Sequence, residues 1–308
     1  MSVIHASVTE LIGRTPMVEL NRYGKDLSAR LIAKLESFNP GGSVKDRIAL
    51  SMIEDAEASG LLKPGQHIVE PTSGNTGVGV AMVAAAKGYP TTFTMPESMS
   101  VERRALFLAY GANVELTPAA DGMRGAIDRA IELEKANGWF RLRQFENPAN
   151  PEIHRRTTAQ EILHATGGQV DVFVSGVGTG GTVTGTGQIL REKNPDVTIV
   201  AVEPTDSAVL SGGQPGPHGI QGIGAGFVPE VLDTRIYDHV SRVSIEDARA
   251  AARSLARTEG ILVGVSAGAA LHAATTLAQL PRHKDAIIVV ILPDTGERYL
   301  STSLFEDH

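Results

Sequence analysis

Short β-branched runs alternate with longer stretches of helical period along almost the whole chain, and no other feature restricts the fold as much. The runs at 31–35, 67–71, 91–95, 113–116, 171–175, 198–202, 261–265 and 286–292 read as strands. Apolar residues spaced three and four apart fill most of the gaps and predict helices over 76–87, 102–110, 123–136, 151–165, 181–193, 245–258 and 267–280. Strands joined through helices pair in parallel, and the helices cover both faces of the sheet. The expected fold class is therefore α/β. A Pro/Asn-rich stretch, 147–151, parts the strands four and four, which predicts two doubly wound parallel-sheet domains with a cleft between them.

The stretch 211–229 breaks this rhythm. It is rich in Gly and Pro, has little periodicity and is longer than a passive connection needs to be. Gly222, Gly224 and Gly226 would let its backbone approach a ligand closely, so it reads as a binding loop.

Composition removes several function classes. The chain has no cysteine, which excludes disulfides, thiolate metal sites and a cysteine nucleophile. Its formal net charge of -7 comes without a basic block, so nucleic acid is not an expected partner. The first residues lack a charged-then-apolar leader, and the longest aliphatic run, 286–292, is too short to span a bilayer. The expectation is a cytoplasmic protein with no membrane partner.

Open α/β sheets bind ligands at the carboxyl ends of their strands. Three strand-to-helix junctions have the residues for it. Gly176-Val177-Gly178-Thr179-Gly180-Gly181-Thr182 would expose backbone N–H groups at a helix N-terminus, with hydroxyls from Thr179 and Thr182, and so form an anion cup. A tight turn explains one or two of these glycines but not four with flanking threonines. No Lys or Arg occurs from Asp171 to Gln188, so a phosphate there would be held by neutral donors and the helix dipole. Thr72-Ser73-Gly74-Asn75-Thr76-Gly77 offers hydroxyls, N–H groups and an amide, which suit a carboxylate, with Asn75 able to donate to a phenolate-like oxygen. A polar cap cluster is its plainer reading. Gly264-Val265-Ser266-Ala267-Gly268 would put Ser266 at a strand end, where a simple helix cap is the plainer reading.

Lys45 gives these junctions a common purpose. In Pro40-Gly41-Gly42-Ser43-Val44-Lys45-Asp46, Ser43 and Asp46 have the spacing of a capping box, which makes Ser43 the expected N-cap and puts Lys45 in the first helical turn. The positive end of a helix disfavours an ammonium there, and a dry site would disfavour it further. A neutral amine attacks carbonyls to form imines. A solvated lysine paired with Asp46 is the ordinary alternative.

Two rival chemistries share the same glycines. Gly176, Gly178 and Gly181 satisfy the dinucleotide fingerprint, with Glu203 at the spacing of a ribose-binding acid, which would suit an NAD-dependent oxidoreductase. Gly264, Ser266 and Gly268 satisfy a hydrolase nucleophile elbow, for which Asp294 and His308 are the available partners. Neither rival gives Lys45 or the loop at Thr72 to Gly77 a task.

One ligand would occupy all four features: an aldehyde for Lys45, a phosphate for the glycine cup, a ring oxygen for Asn75 and a ring nitrogen for Ser266. That is pyridoxal 5′-phosphate. The chain resembles the fold type II pyridoxal-phosphate enzymes, and within them the cysteine synthase and cystathionine β-synthase family. The likeness runs nearly end to end, through 10–16, 39–47, 72–77, Gln144-Phe145 with Asn147-Pro148, 176–182, 221–227 and 293–299.

The resemblance implies a tryptophan synthase β-like fold with the active site in a cleft. A smaller mobile N-terminal domain, 1–148, would face a larger C-terminal domain, 149–308, which carries the phosphate cup, and residues 13–34 would cross to the latter. It implies Lys45 as the lysine of the internal aldimine and then as the catalytic base. Gly178, Thr179, Gly180, Gly181 and Thr182 would bind the phosphate, Asn75 the 3′-oxygen and Ser266 the pyridine nitrogen. Thr72, Ser73, Thr76 and Gln144 would hold the substrate carboxylate, with Gly222 bordering the substrate. The implied transferase activity is β-replacement in cysteine biosynthesis, O-acetyl-L-serine and hydrogen sulfide giving L-cysteine and acetate through an α-aminoacrylate. The alternative is a cystathionine β-synthase-type replacement with homocysteine. A homodimer is implied, and the C-terminal tail of a serine acetyltransferase as a partner; no metal is.

Overall fold

The computed structural model describes residues 4–72, 74–98 and 101–306, the side chains of 101–103 excepted. In chain order the strands are β1 (Met17–Glu19), β2 (Arg30–Leu35), β3 (Ile68–Pro71), β4 (Thr91–Pro96), β5 (Asn113–Thr117), β6 (Phe140–Arg141), β7 (Val172–Gly176), β8 (Thr198–Pro204), β9 (His239–Val243) and β10 (Ile287–Leu292). The α-helices are α1 (Lys45–Ala58), α2 (Asn75–Lys87), α3 (Val101–Ala109), α4 (Gly122–Asn137), α5 (Ala149–Ile153), α6 (Ala159–Ala165), α7 (Gly181–Lys193), α8 (Ile245–Glu259) and α9 (Val265–Ala278). The helix expected over 151–165 forms as α5 and α6 with a π-helical stretch, His154–Thr158, between them.

Two compact units divide the chain. One combines Met1–Ile12 with Asn39–Ala149. Its four strands are all parallel, in the order β5-β4-β3-β6. β3 and β4 are buried at every position, so they read as continuous apolar and threonine runs and not as alternating ones. Helix α2 is apolar nearly all round and is buried from Thr76 to Ala84, which lets α1 pack along it.

The other unit combines Gly13–Phe38 with Asn150–His308. Its sheet runs β1-β2-β10-β7-β8-β9, parallel except for the β1–β2 pair. The period of two along β10 divides its side chains between two cores. Ile288, Val290 and Leu292 pack with Leu31, Ala33, Val172, Val174 and the apolar sides of α8 and α9. Ile287, Val289 and Ile291 pack with Phe173, Ile199 and residues of α6 and α7 such as Ile162, Val183 and Leu190. With all six residues of β10 buried, each face of the strand needs its own helical cover, and receives it.

Three expectations are corrected here. The strands do not divide four and four at 147–151, because β2 pairs in register with β10, Arg30 opposite Ile287 and Leu35 opposite Leu292. No strand forms at 261–265. That segment joins α8 to α9, which pack on the same core, and both sides of β10 are already taken by β2 and β7; a single bridge, Val263 to Thr295, is all it makes. Finally, β1, β6 and β9 had no counterpart in the expected strands. All three lie at sheet edges, and none of their residues except Val243 is buried, so their apolar signal is weak.

Candidate active site

Lys45 opens α1, and its backbone is fixed from three sides. The Ser43 hydroxyl oxygen accepts the Lys45 N–H at 3.2 Å, although the N-cap of α1 is Val44 and not the expected Ser43. Asp46, fully buried, reaches past it to accept the Gly41 N–H at 2.5 Å. A Cβ on Gly41 would stand 2.5 Å from that carboxylate, so the turn leading into Lys45 is shaped around Asp46. From the other side, the Cα of Gly79 in α2 meets the first turn of α1; a Cβ there would lie 3.0 Å from the Lys45 carbonyl oxygen and 3.2 Å from the Ala49 side chain.

The same unit collects the polar loop after β3. Gly74 precedes α2, Asn75 is its first residue, and the Thr72 hydroxyl oxygen accepts the Gly74 N–H at 3.3 Å. Thr76, in the first turn, donates its hydroxyl to Oε1 of Gln144 at 2.7 Å. Thr72, Thr76 and Gln144 are all buried, at 4%, 4% and 6% exposure, so these polar groups are committed to defined directions. Ser73 lies outside the described residues. One residue with no role in the sequence reading joins this group. Glu70 of β3, 1% exposed, accepts the N–H groups of Leu142 and Arg143, both at 3.1 Å, and of Gln144 at 3.2 Å. Its signal in the sequence was a lone carboxylate inside an otherwise apolar strand.

The glycine cup forms in the other unit, where β7 ends and α7 begins at Gly181. Gly180 has a φ of 86°, which turns successive N–H groups toward the helix end. Asn150, buried beside Gly181, donates through Nδ2 to the Thr179 hydroxyl oxygen at 2.9 Å, which leaves the Thr179 hydroxyl proton for an acceptor elsewhere. Thr182 shares a 3.3 Å hydrogen bond with His154 Nε2, and His154 Nδ1 lies 2.9 Å from the Thr158 hydroxyl. The loop at 211–229 contains no helix or strand and returns to this cup. A Cβ on Gly178 would stand 2.5 Å from the Gly222 carbonyl oxygen, and one on Gly222 would stand 3.5 Å from Ser266 Oγ. Gly178, Gly222 and Ser266 thus converge. Ser266 is 4% exposed, in the first turn of α9.

A family model described as pyridoxal-phosphate dependent enzyme matches residues 8–294. The chain belongs to this family of pyridoxal-phosphate dependent enzymes. Among its relatives is a cysteine synthase of Staphylococcus aureus, 54% identical over 300 residues that cover 97% of this chain and 96% of the relative. Among solved structures, O-acetyl serine sulfhydrylase isoform 3 from Entamoeba histolytica superposes with a TM-score of 0.96 at 45% identity, over 99% of this chain and 93% of that one. An O-ureido-L-serine synthase superposes at 0.95 with 50% identity, over 98% and 96%. The fold is thus α/β fold type II, with two parallel-sheet units, and the chain's cofactor is pyridoxal phosphate.

The residues present fit the cofactor of this family. A phosphate needs convergent donors and no bulk at closest approach; the cup supplies a helix N-terminus, a hydroxyl with its proton to give, and a glycine at 178 where any Cβ would collide with backbone. The rival readings fare worse. Glu203 does follow the glycine fingerprint, at 1% exposure in β8, but its carboxylate accepts the N–H groups of Leu210 and Ser211 at 2.7 and 3.0 Å and the Ser211 hydroxyl at 2.5 Å. With those three donors in place and 1% exposure, the carboxylate is already committed within the protein and not presented to a ribose. A nucleophile elbow needs a strand before the serine, and no strand precedes Ser266. Asp294 accepts the Tyr299 hydroxyl at 2.6 Å, and His308 lies outside the described residues.

Proposed function

We propose that the protein catalyses β-replacement of O-acetyl-L-serine by hydrogen sulfide, forming L-cysteine and acetate. The observation that carries this reading is the likeness to a cysteine synthase over 96% of that relative's length, with Lys45 at the head of α1 and the glycine cup at the head of α7 both present. When bound, pyridoxal phosphate supplies an aldehyde that condenses with amines and a conjugated ring that takes up charge developing at an amino acid's α-carbon.

Lys45 is the amine that would hold the aldehyde carbon, and the same amine would take the substrate α-proton and return it. Gly178, Thr179, Gly180, Gly181 and Thr182 would hold the phosphate through N–H groups, hydroxyls and the helix dipole. Asn75 would donate its amide to the ring oxygen. Ser266 would face the ring nitrogen with a neutral hydroxyl, which places no formal charge beside it. Thr72, Ser73, Thr76 and Gln144 would hold the substrate carboxylate, and Gly222 would border the substrate. In the net reaction hydrosulfide adds at the β-carbon and acetate departs from it, so charge is conserved and no oxidant or reductant is needed.

Homocysteine in place of sulfide is the second reading, supported by the lysine segment and cup that cystathionine β-synthases share. The first reading also takes the protein as a cytoplasmic homodimer that can bind a serine acetyltransferase tail, which sedimentation with and without such a tail peptide would test. The decisive experiment titrates the purified protein with O-acetyl-L-serine, L-serine or O-phospho-L-serine, then adds sulfide or homocysteine, following absorbance, acetate and amino-acid product. A yellow protein that releases acetate and forms L-cysteine is expected. A colourless protein with no lysine-linked cofactor sinks the reading, and preferential formation of cystathionine reassigns the acceptor. In Lys45→Ala, borohydride reduction should leave no pyridoxyl group on the peptide that carries position 45, and turnover should be lost; wild-type turnover in that variant refutes the role of Lys45.

A further inference from the structure

A carboxylate at the end of a buried strand is costly unless donors surround it, and a neutral side chain there would be cheaper for the fold alone. Glu70 has such donors from one source only, three consecutive residues of the turn that follows β6. Arg143, in the middle of the three, has a φ of 59°, uncommon for a residue with a side chain. That value lets its N–H and those of its neighbours converge as an anion nest. The turn is closed on its other side by Asn147, whose side chain donates to the Leu142 carbonyl oxygen at 2.9 Å while its N–H bonds the Arg143 carbonyl oxygen at 2.9 Å. The third residue of the nest is Gln144, and its side chain receives the Thr76 hydroxyl at the start of α2. A line of hydrogen bonds therefore runs from the Glu70 carboxylate through the Gln144 backbone to the Gln144 amide and Thr76.

We propose that Glu70 is a positioning residue for the substrate-carboxylate site, acting through Gln144. It touches neither substrate nor cofactor; its carboxylate oxygens, by accepting three consecutive N–H groups, hold the turn that aims the Gln144 amide beside Thr76. This inference rests on the reading that Gln144 and Thr76 hold the carboxylate of O-acetyl-L-serine. Glu70→Gln keeps size but replaces an acceptor-only group by one that points a donor at a donor, so the turn would relax and the amide would lose its direction.

The test uses steady-state turnover of O-acetyl-L-serine with sulfide in wild type, Glu70→Gln, Glu70→Asp, Gln144→Ala and the Glu70→Gln/Gln144→Ala double variant, with cofactor absorbance recorded for each. Glu70→Gln should raise KM for O-acetyl-L-serine about tenfold, the usual effect of losing one charge-assisted hydrogen bond, with kcat within about twofold and cofactor content unchanged. Glu70→Asp, which keeps the charge, should recover part of that loss. The effect of Glu70→Gln should vanish in the Gln144→Ala background, because a positioning residue has nothing left to position. Unchanged KM, a fall in kcat alone, or full additivity with Gln144→Ala overturns the proposal. If Glu70→Gln does not accumulate folded, the same cycle with Glu70→Asp decides by the same criteria. Absence of wild-type turnover sinks this inference together with the proposed function, whereas normal wild-type turnover with unaltered variants sinks this inference alone.

Discussion

Gly178→Ala tests whether close backbone approach builds the phosphate cup. The φ of Gly178 is not in the left-handed region, so alanine can adopt its conformation and only the space matters. The new Cβ would stand 2.5 Å from the Gly222 carbonyl oxygen, where ordinary contact begins near 3.4 Å, so the two segments must part by about 0.9 Å. The obstacle is backbone and cannot rotate away. Overpacking of this kind costs about 1–3 kcal/mol, and because Gly222 sits in an irregular loop the lower half of that range applies, about 5- to 30-fold in an equilibrium constant. The displaced loop also borders Ser266, so the loss should appear in cofactor affinity. The assay is titration of the resolved apoprotein with pyridoxal phosphate, followed by absorbance. Gly176→Ala is the control: its Cβ would meet the Ile223 Cγ2 methyl at 2.8 Å, a smaller overlap and with a side chain instead of backbone, so its effect should be the smaller. A dissociation constant for Gly178→Ala within twofold of wild type, or no weaker than that of Gly176→Ala, refutes the argument.

Other parts of the structure make separate predictions. Lys34, fully buried, bonds Glu161 at 2.8 Å and donates to the Thr15 carbonyl oxygen at 3.0 Å, while Glu161 also accepts the Arg14 N–H at 2.9 Å, so Lys34→Met should cost about 1.5–3 kcal/mol through the lost charged hydrogen bonds; an unchanged urea midpoint would contradict this. Burial pushes Glu70 from 4.5 up to about 7, against the three N–H bonds and Arg141, which pull it down. Its folded value is raised, so its contribution to stability is full below about 4.5 and is lost as pH rises through about 7. Glu70→Gln, uncharged throughout, should therefore gain in thermal midpoint relative to wild type between those two pH values, and a difference flat with pH would contradict it.

What the sequence carried and what it did not follow from the range of each interaction. Helix α7 lies where its pattern predicts, Gly181 to Lys193, because a glycine-rich start, an internal period and a basic last turn are all local. The partner of β2 is some 250 residues away, at β10, and nothing within 30–35 names it, so the residue pattern groups β2 with the strands nearest in sequence and only the family resemblance moves 13–34 to the later ones. The segment 261–265 has a strand's composition, yet composition cannot tell that both sides of β10 are occupied. At the site, the glycines of the cup were legible as missing side chains. The atoms that require them to be missing, the Gly222 carbonyl and the Asn150 side chain, were not. Asp46 shows the same limit at short range: its spacing from Ser43 matches a capping box, yet the N-cap is Val44, and the Gly-Gly turn brings the Gly41 N–H to the Asp46 carboxylate.

Glu70 is the instructive residue in this respect, because its stability and its proposed task point in opposite directions. A core selected for stability alone would carry a neutral side chain at the end of β3, since at neutral pH and above the buried charge works against folding. The three N–H groups that it gathers belong to a turn with a left-handed non-glycine residue, a second local cost. Two unfavourable features sustained together, and ending on the Gln144 amide, are better explained by what the turn presents than by what it packs. The sequence contained the sign of this in plain view, a glutamate inside an apolar strand, but a charge out of place says only that something compensates it. Which backbone does so, and what that backbone holds in turn, becomes visible once β3 and the turn after β6 are side by side.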